Sequence, residues 1–182
     1  ALFQGVQPQM INVDGADHQR MRGMWEKSFR PGAINELTPM IQAEADRLLS
    51  ALPDEGEFDI VAAFAAPMPL RVLGNLLNLP PEMDDTIHRW SEALIRIADV
   101  LLSPEDKQSA LDALIACKAY LRDFLAERRA AADTSLTSII LRAQDEGVLN
   151  EEETLVNMVS MLIAGHETTV TLIGSGLLLL LD

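Results

Sequence analysis

The stretch NEEETLVNMVSMLIAGHETTVTLIGSGLLLLL, Asn150 to Leu181, decides how this chain folds. It opens with an asparagine able to cap a helix and with three acids, Glu151, Glu152 and Glu153, which complement the positive end of the helix dipole; Glu153 stands at the capping-box position. No proline follows before Leu181. The spacing predicts a single helix of about 31 residues, about 46 Å long and far beyond the ordinary length. Its apolar residues fall on almost every face, so it is expected to cross the middle of a domain larger than this chain.

Outward from that helix, short breaks divide the rest into further helical segments, without internal repeats. Asp17 is placed as the N-cap of a helix running to about Phe29, which Pro31-Gly32 ends. A second helix is expected from Ala33 to Leu52, burying Ile34, Leu37, Ile41, Ala45, Leu48 and Leu52 on one face. Asp59 caps the next segment, which Pro67 and Pro69 interrupt because each lacks a backbone N–H; the helix restarts there and runs to Asn78. Pro80-Pro81 opens a segment striped by Met83, Ile87, Trp90, Leu94, Ile97 and Leu101. Ser103-Pro104-Glu105-Asp106 starts a helix reaching Arg129, and a short one covers Ser135 to Asp145. The fold class expected is all-α.

Composition narrows the function classes. The 182 residues hold 14 Lys and Arg against 28 Asp and Glu, a formal charge of −14, so a basic nucleic-acid footprint has no support. The single cysteine, Cys117, excludes a disulfide framework and a cysteine-based zinc cluster, and fits a reduced, cytoplasmic compartment. It shares a stripe with Ala110, Leu114, Leu121 and Phe124 and reads as a buried structural thiol. The 12 residues from Val170 to Leu181 fall short of the roughly 20 that span a bilayer, so no membrane is expected as a partner.

Two constellations could carry chemistry. In AGHETT, Ala164 to Thr169, one glycine and two threonines replace good helix formers at a cost of roughly 2 kcal/mol. Thr168 sits one turn after Ala164, so its hydroxyl can bond to that carbonyl, and Gly165 leaves room for a close neighbour; a local kink or groove is expected. Glu167 is an acid in apolar surroundings, costly unless paired, hydrated or protonated, and an acid beside a hydroxyl can relay protons. The residues alone leave open that both threonines are merely back-bonded and Glu167 lies on an exposed strip. His166-Glu167 also begins a zinc-protease pattern, but the second histidine would fall at Val170, and the pattern fails. His88 reads as a surface or satisfied histidine.

The second constellation is His18, Arg22, Trp25 and Phe29, spaced by four, three and four residues on one helix face. Two cations beside two rings suit a flat anion with an apolar body; a core stripe ending in a surface His-Arg pair is the competing reading.

Taken together, HQRMRGMWEKSFRP (His18 to Pro31), DIVAAFAAPMPLRVLGNLLNLP (Asp59 to Pro80), SIILRAQDEGVLNEEE (Ser138 to Glu153) and AGHETT stand in the order found in the bacterial, soluble class of cytochrome P450 haem-thiolate monooxygenases, and the chain resembles that family over nearly its whole length. The resemblance implies that His18 and Arg22 hold the propionates of haem b. It implies that Ala164 and Gly165 form the wall of a groove over the haem, and that Glu167 and Thr168 deliver protons for O–O cleavage. The helices from Met83 to Leu102 and from Pro104 to Arg129 become a mobile lid over the substrate channel. Implied partners are an apolar small-molecule substrate, O2 and an electron-donor protein such as a ferredoxin. The family's proximal half, with its Glu-x-x-Arg pair and Cys-bearing loop, is expected beyond Asp182 and its N-terminal sheet region is missing; Cys117 lacks the loop signature. The chain is therefore expected to be one incomplete domain, the central portion from helix C to helix I, inactive alone and without the iron's cysteine ligand. A haem-free helical module binding a ligand or a protein is the alternative.

Overall fold

The computed structural model describes residues 8–96, 102–130 and 133–181, and no strand occurs among them. Among the described residues eight α-helices follow one another: α1 (Gly15–Glu26), α2 (Pro31–Glu36), α3 (Thr38–Ser50), α4 (Pro67–Leu77), α5 (Asp84–Ile95), α6 (Pro104–Arg128), α7 (Leu136–Asp145) and α8 (Glu151–Leu181). The fold is all-α as the sequence predicts.

Capping chemistry sets most boundaries. The Glu153 N–H donates to Asn150 Oδ1 and the Asn150 N–H to Glu153 Oε2, both at 2.9 Å, which completes the capping box that starts α8. Ser103 Oγ accepts from the Asp106 N–H at 3.0 Å to start α6, and Ser135 Oγ from the Ser138 N–H at 3.2 Å to start α7. Asp59 Oδ1 accepts from Val61 and Ala62 at 2.8 and 3.2 Å, but the segment it caps is a short π-helix, Val61–Ala65, before α4 begins at Pro67. Asn78 ends α4 in the left-handed conformation at φ 56°, one of the few places where an asparagine is at ease with positive φ.

Three boundaries differ from the expectations. α1 starts at Gly15 with Asp14 at the N-cap position, two residues before Asp17 can act, and gives way to a 3-10 turn over Lys27–Phe29. The expected helix from Ala33 to Leu52 is two: Pro39 has no N–H to continue the ladder, and α2 stops at Glu36. Of its proposed buried face only Leu48 is buried; Leu37, Ile41, Ala45 and Leu52 are half-buried where α4 and the π-helix pack on α3, and Ile34 is exposed. On α5 the stripe holds, with Ile87 and Leu94 buried and Met83 and Trp90 packed against the core; Ile97 and Leu101, and with them part of the expected lid, lie outside the described residues.

The core forms around the first half of α8, which packs against α4, α5, α6 and α7. Every residue from Glu153 to Val159 is buried, among them Leu155, Val156, Met158 and Val159. Each such side chain contributes about 2 kcal/mol of apolar burial. Toward the other end Leu172, Leu178, Leu179, Leu180 and Leu181 are exposed. α8 is long and apolar enough by length and composition to cross a membrane, over a longer window than the 12 residues weighed from the sequence, yet its N-terminal half is a protein core.

Candidate functional site

α1, α4 and α8 enclose an open cavity of about 970 Å³. Its walls are mainly apolar, with Trp25 from α1, Met68, Val72, Leu73 and Leu76 from α4, and Met161 and Ile173 from α8. His18 and Arg22, one turn apart on α1, both line it. Among the described residues neither has an ion-pair partner, whereas their neighbour Arg20 on the other side of α1 is fully engaged. An apolar slot with an unpaired guanidinium and an imidazole as hydrogen-bond donors fits a flat ligand that carries carboxylates at one edge. Arg30, beyond the end of α1, also lines the cavity and adds a second guanidinium. Its position depends on the 3-10 turn that redirects the chain, so helical spacing from His18 could not reveal it.

From α8 the cavity receives Ala164, Gly165 and Thr169. Gly165 faces Leu73 of α4: a Cβ built there would lie 3.4 Å from Leu73 Cδ2, an ordinary van der Waals contact, so anything larger than a methyl group would press on α4. The hydroxyl of Thr168 donates to the Ala164 carbonyl at 2.6 Å and that of Thr169 to Gly165 at 3.0 Å. α8 nevertheless runs unbroken through the motif as an α-helix. Thr168 is exposed and is not among the residues that line the cavity; Thr169, which the sequence reading did not single out, is. Glu167 does not line it either.

Glu167 sits instead on the side of α8 facing α5. It is half-buried, and its Oε1 lies 3.2 Å from Nδ1 of the fully buried His166. The surroundings are imidazole rather than purely apolar: the ring of His88, from α5, meets that of His166 edge-on, centroids 5.0 Å apart. Burial pulls the His166 pKa below its ordinary value; the Glu167 carboxylate opposes this and His88 reinforces it. His88 keeps about a third of its side chain exposed but is not satisfied, because its Nδ1 is buried without a hydrogen-bond partner. Cys117 is buried as expected, its thiol pushed up to about 12 by burial, a neutral group in the α6 stripe.

Comparison with known proteins gives the family of the chain. A family model described as "Cytochrome P450" matches residues 5–182. The chain is 39% identical over 176 residues to the vitamin D(3) 25-hydroxylase of Pseudonocardia autotrophica, covering 96% of this chain and 42% of that protein. Among solved structures it is similar to CxnD, a P450 for C–S bond formation in chuangxinmycin biosynthesis, with a TM-score of 0.88 at 34% identity over 95% of this chain and 42% of that one. The myxobacterial CYP267B1 in complex with myristic acid gives a TM-score of 0.87 at 36% identity over 94% and 42%. The chain therefore spans under half the length of the relatives it matches.

Proposed function

The chain belongs to the cytochrome P450 family, and from that premise we propose that the complete protein is a haem-dependent monooxygenase inserting one oxygen atom from O2 into an apolar organic substrate. The observation that carries this reading is the meeting of His18 and Arg22 with Ala164 and Gly165 around one apolar cavity, although the two pairs are more than 140 positions apart in the chain.

When bound, haem b would supply the oxygen-activating and electron-accepting chemistry that no side chain offers. His18 and Arg22 are the residues that would hold its propionates. Trp25, Leu73 and Leu76 exclude water from its apolar body, and Ala164 and Gly165 leave the wall of α8 thin where small molecules must enter. Glu167 and Thr168 hold protons for the reaction. To donate toward the cavity the Thr168 hydroxyl must turn away from the Ala164 carbonyl to which it now donates. The iron's cysteine ligand comes from outside residues 1–182, since Cys117 is a buried, neutral thiol on a packed helix. The electron donor is a protein such as a ferredoxin, and the compartment is the cytoplasm.

The test is the absorption of the complete protein, reduced and exposed to carbon monoxide. The red-shifted band of thiolate ligation is expected. Its absence from a folded, complete protein would favour the haem-free helical module instead.

A further inference from the structure

Two histidines and a carboxylate converge where α5 meets α8. One ligand-capable atom from each of His88, His166 and Glu167 lies within 4.8 Å of the other two. Three buried polar atoms there have no hydrogen-bond partner: His88 Nδ1, His166 Nδ1 and Glu167 Oε1.

The hydrogen positions follow from the neighbours. Nε2 of the fully buried His166 lies 3.2 Å from the carbonyl oxygen of Ala66, which can only accept, so Nε2 carries a hydrogen and, in the neutral ring, Nδ1 carries a lone pair. Nδ1 faces Glu167 Oε1 at 3.2 Å, where the two acceptors of a neutral ring and a carboxylate repel unless a proton or a metal ion stands between them. His88 is held more loosely: its Nε2 lies 3.8 Å from Glu92 Oε1, beyond hydrogen-bond reach, while its Nδ1 is buried without a partner. An acceptor on the outer nitrogen and a free lone pair on the inner one is how metal-ligating histidines are held.

We propose that His88, His166 and Glu167 form a binding site for a divalent transition-metal ion of the zinc class. Two imidazole nitrogens and one carboxylate oxygen make a donor set that zinc accepts with a fourth position left open, whereas magnesium and calcium favour all-oxygen sets. Closing on one ion needs donor atoms about 3.3 Å apart, given zinc bonds of about 2.0–2.1 Å. Half-buried His88 and Glu167 supply that contraction by side-chain rotation while buried His166 stays fixed. The ion would occupy Glu167 Oε1 and so withdraw this carboxylate from proton transfer, making zinc an inhibitor; that consequence rests on the function proposed above, and the binding does not.

The complete, haem-loaded protein, stripped of metal, is titrated with zinc chloride against a chromophoric zinc indicator. One equivalent bound tightly enough to compete with the indicator is expected, with His88→Ala and His166→Gln each weakening binding at least tenfold. X-ray absorption at the zinc edge of the wild-type protein, which needs no variant to fold, should show two imidazoles and light oxygen donors without sulfur. Absence of stoichiometric binding, unchanged affinity in the folded variants, or a sulfur-containing shell overturns the site. Zinc that binds as described but leaves coupling of electron use to product untouched overturns only the inhibitory consequence.

Discussion

Arg20 on α1 grips Glu153 on α8 with both ends of its guanidinium, Nη2 to Oε1 at 2.7 Å and Nη1 to Oε2 at 3.0 Å, across 133 positions of sequence. The same Glu153 closes the capping box with Asn150, so one buried carboxylate fixes the start of α8 and docks α1 on it. Arg20 also donates to the Val148 carbonyl and pairs with Asp17 at 2.9 Å. This contact holds the helix that carries His18 and Arg22 at a set angle to the helix that carries AGHETT.

Replacing Glu153 with Gln in the complete protein should therefore cost about 2 kcal/mol, because Arg20 loses its charged acceptor while partly shielded from water. Urea denaturation of Glu153→Gln, Arg20→Ala and the double variant measures it; additive effects would show the two residues to be uncoupled.

The same pair dictates a pH dependence. Hydrogen bonds from Arg20 hold the Glu153 carboxyl below its ordinary value, against opposition from burial and with help from the Asn150 N–H. A carboxylate whose folded pKa is depressed stabilises the fold fully above its unfolded value, about 4.3, and loses that contribution as pH falls through the folded value. The stability gap between wild type and Glu153→Gln should stay constant from neutrality down to about pH 4.3 and narrow as pH falls further. A gap that persists unchanged well below that pH would count against the charged pair as its origin.

Thr168→Ala in the complete protein should let electrons escape as peroxide or water, lowering product formed per electron by up to about a hundredfold, the lower end of what a positioned proton donor contributes. Thr168→Ser keeps the hydroxyl and should restore most of it. Unchanged coupling in Thr168→Ala would refute the relay role and direct attention to Thr169, the threonine that lines the cavity.

Arg22→Ala should weaken haem retention by about tenfold, the worth of one charge-assisted hydrogen bond of about 1.5 kcal/mol. Transfer of haem to an acceptor protein reads this directly. Full occupancy and an unaltered transfer rate would remove Arg22 from the propionate site.

Gly165 separates two effects. Alanine there would sit 3.4 Å from Leu73 Cδ2, an ordinary contact, and adds helix propensity of up to about 1 kcal/mol, so Gly165→Ala should fold at least as stably as wild type. Gly165→Val extends further toward Leu73 and should lower the melting temperature. Equal melting temperatures for the two variants would show that α4 and α8 are not in close contact at this point.

Much of the fold is legible in the sequence because it is written in local terms. The Asn150-Glu153 box, the Ser103 and Ser135 caps and the proline starts of α4 and α6 each involve groups three or four residues apart, whose geometry is the same in any helix. His18, Arg22, Ala164 and Gly165 are legible for the same reason, as short patterns on single helices. The break at Leu37 was also available, since Pro39 marks it, but the apolar period running through Ile34 and Ile41 masked the proline.

The order of caps, breaks and motifs by itself determined an all-helical chain, a helix 31 residues long and membership of the cytochrome P450 family. Only the tertiary structure decided which threonine of AGHETT faces the cavity, that Arg30 joins its rim, and that His88 lies against His166 across 78 positions. Those relationships depend on the rotation of each helix about its axis and on where it crosses its neighbours. Burial of many side chains together sets both, and a local spacing pattern carries no trace of either.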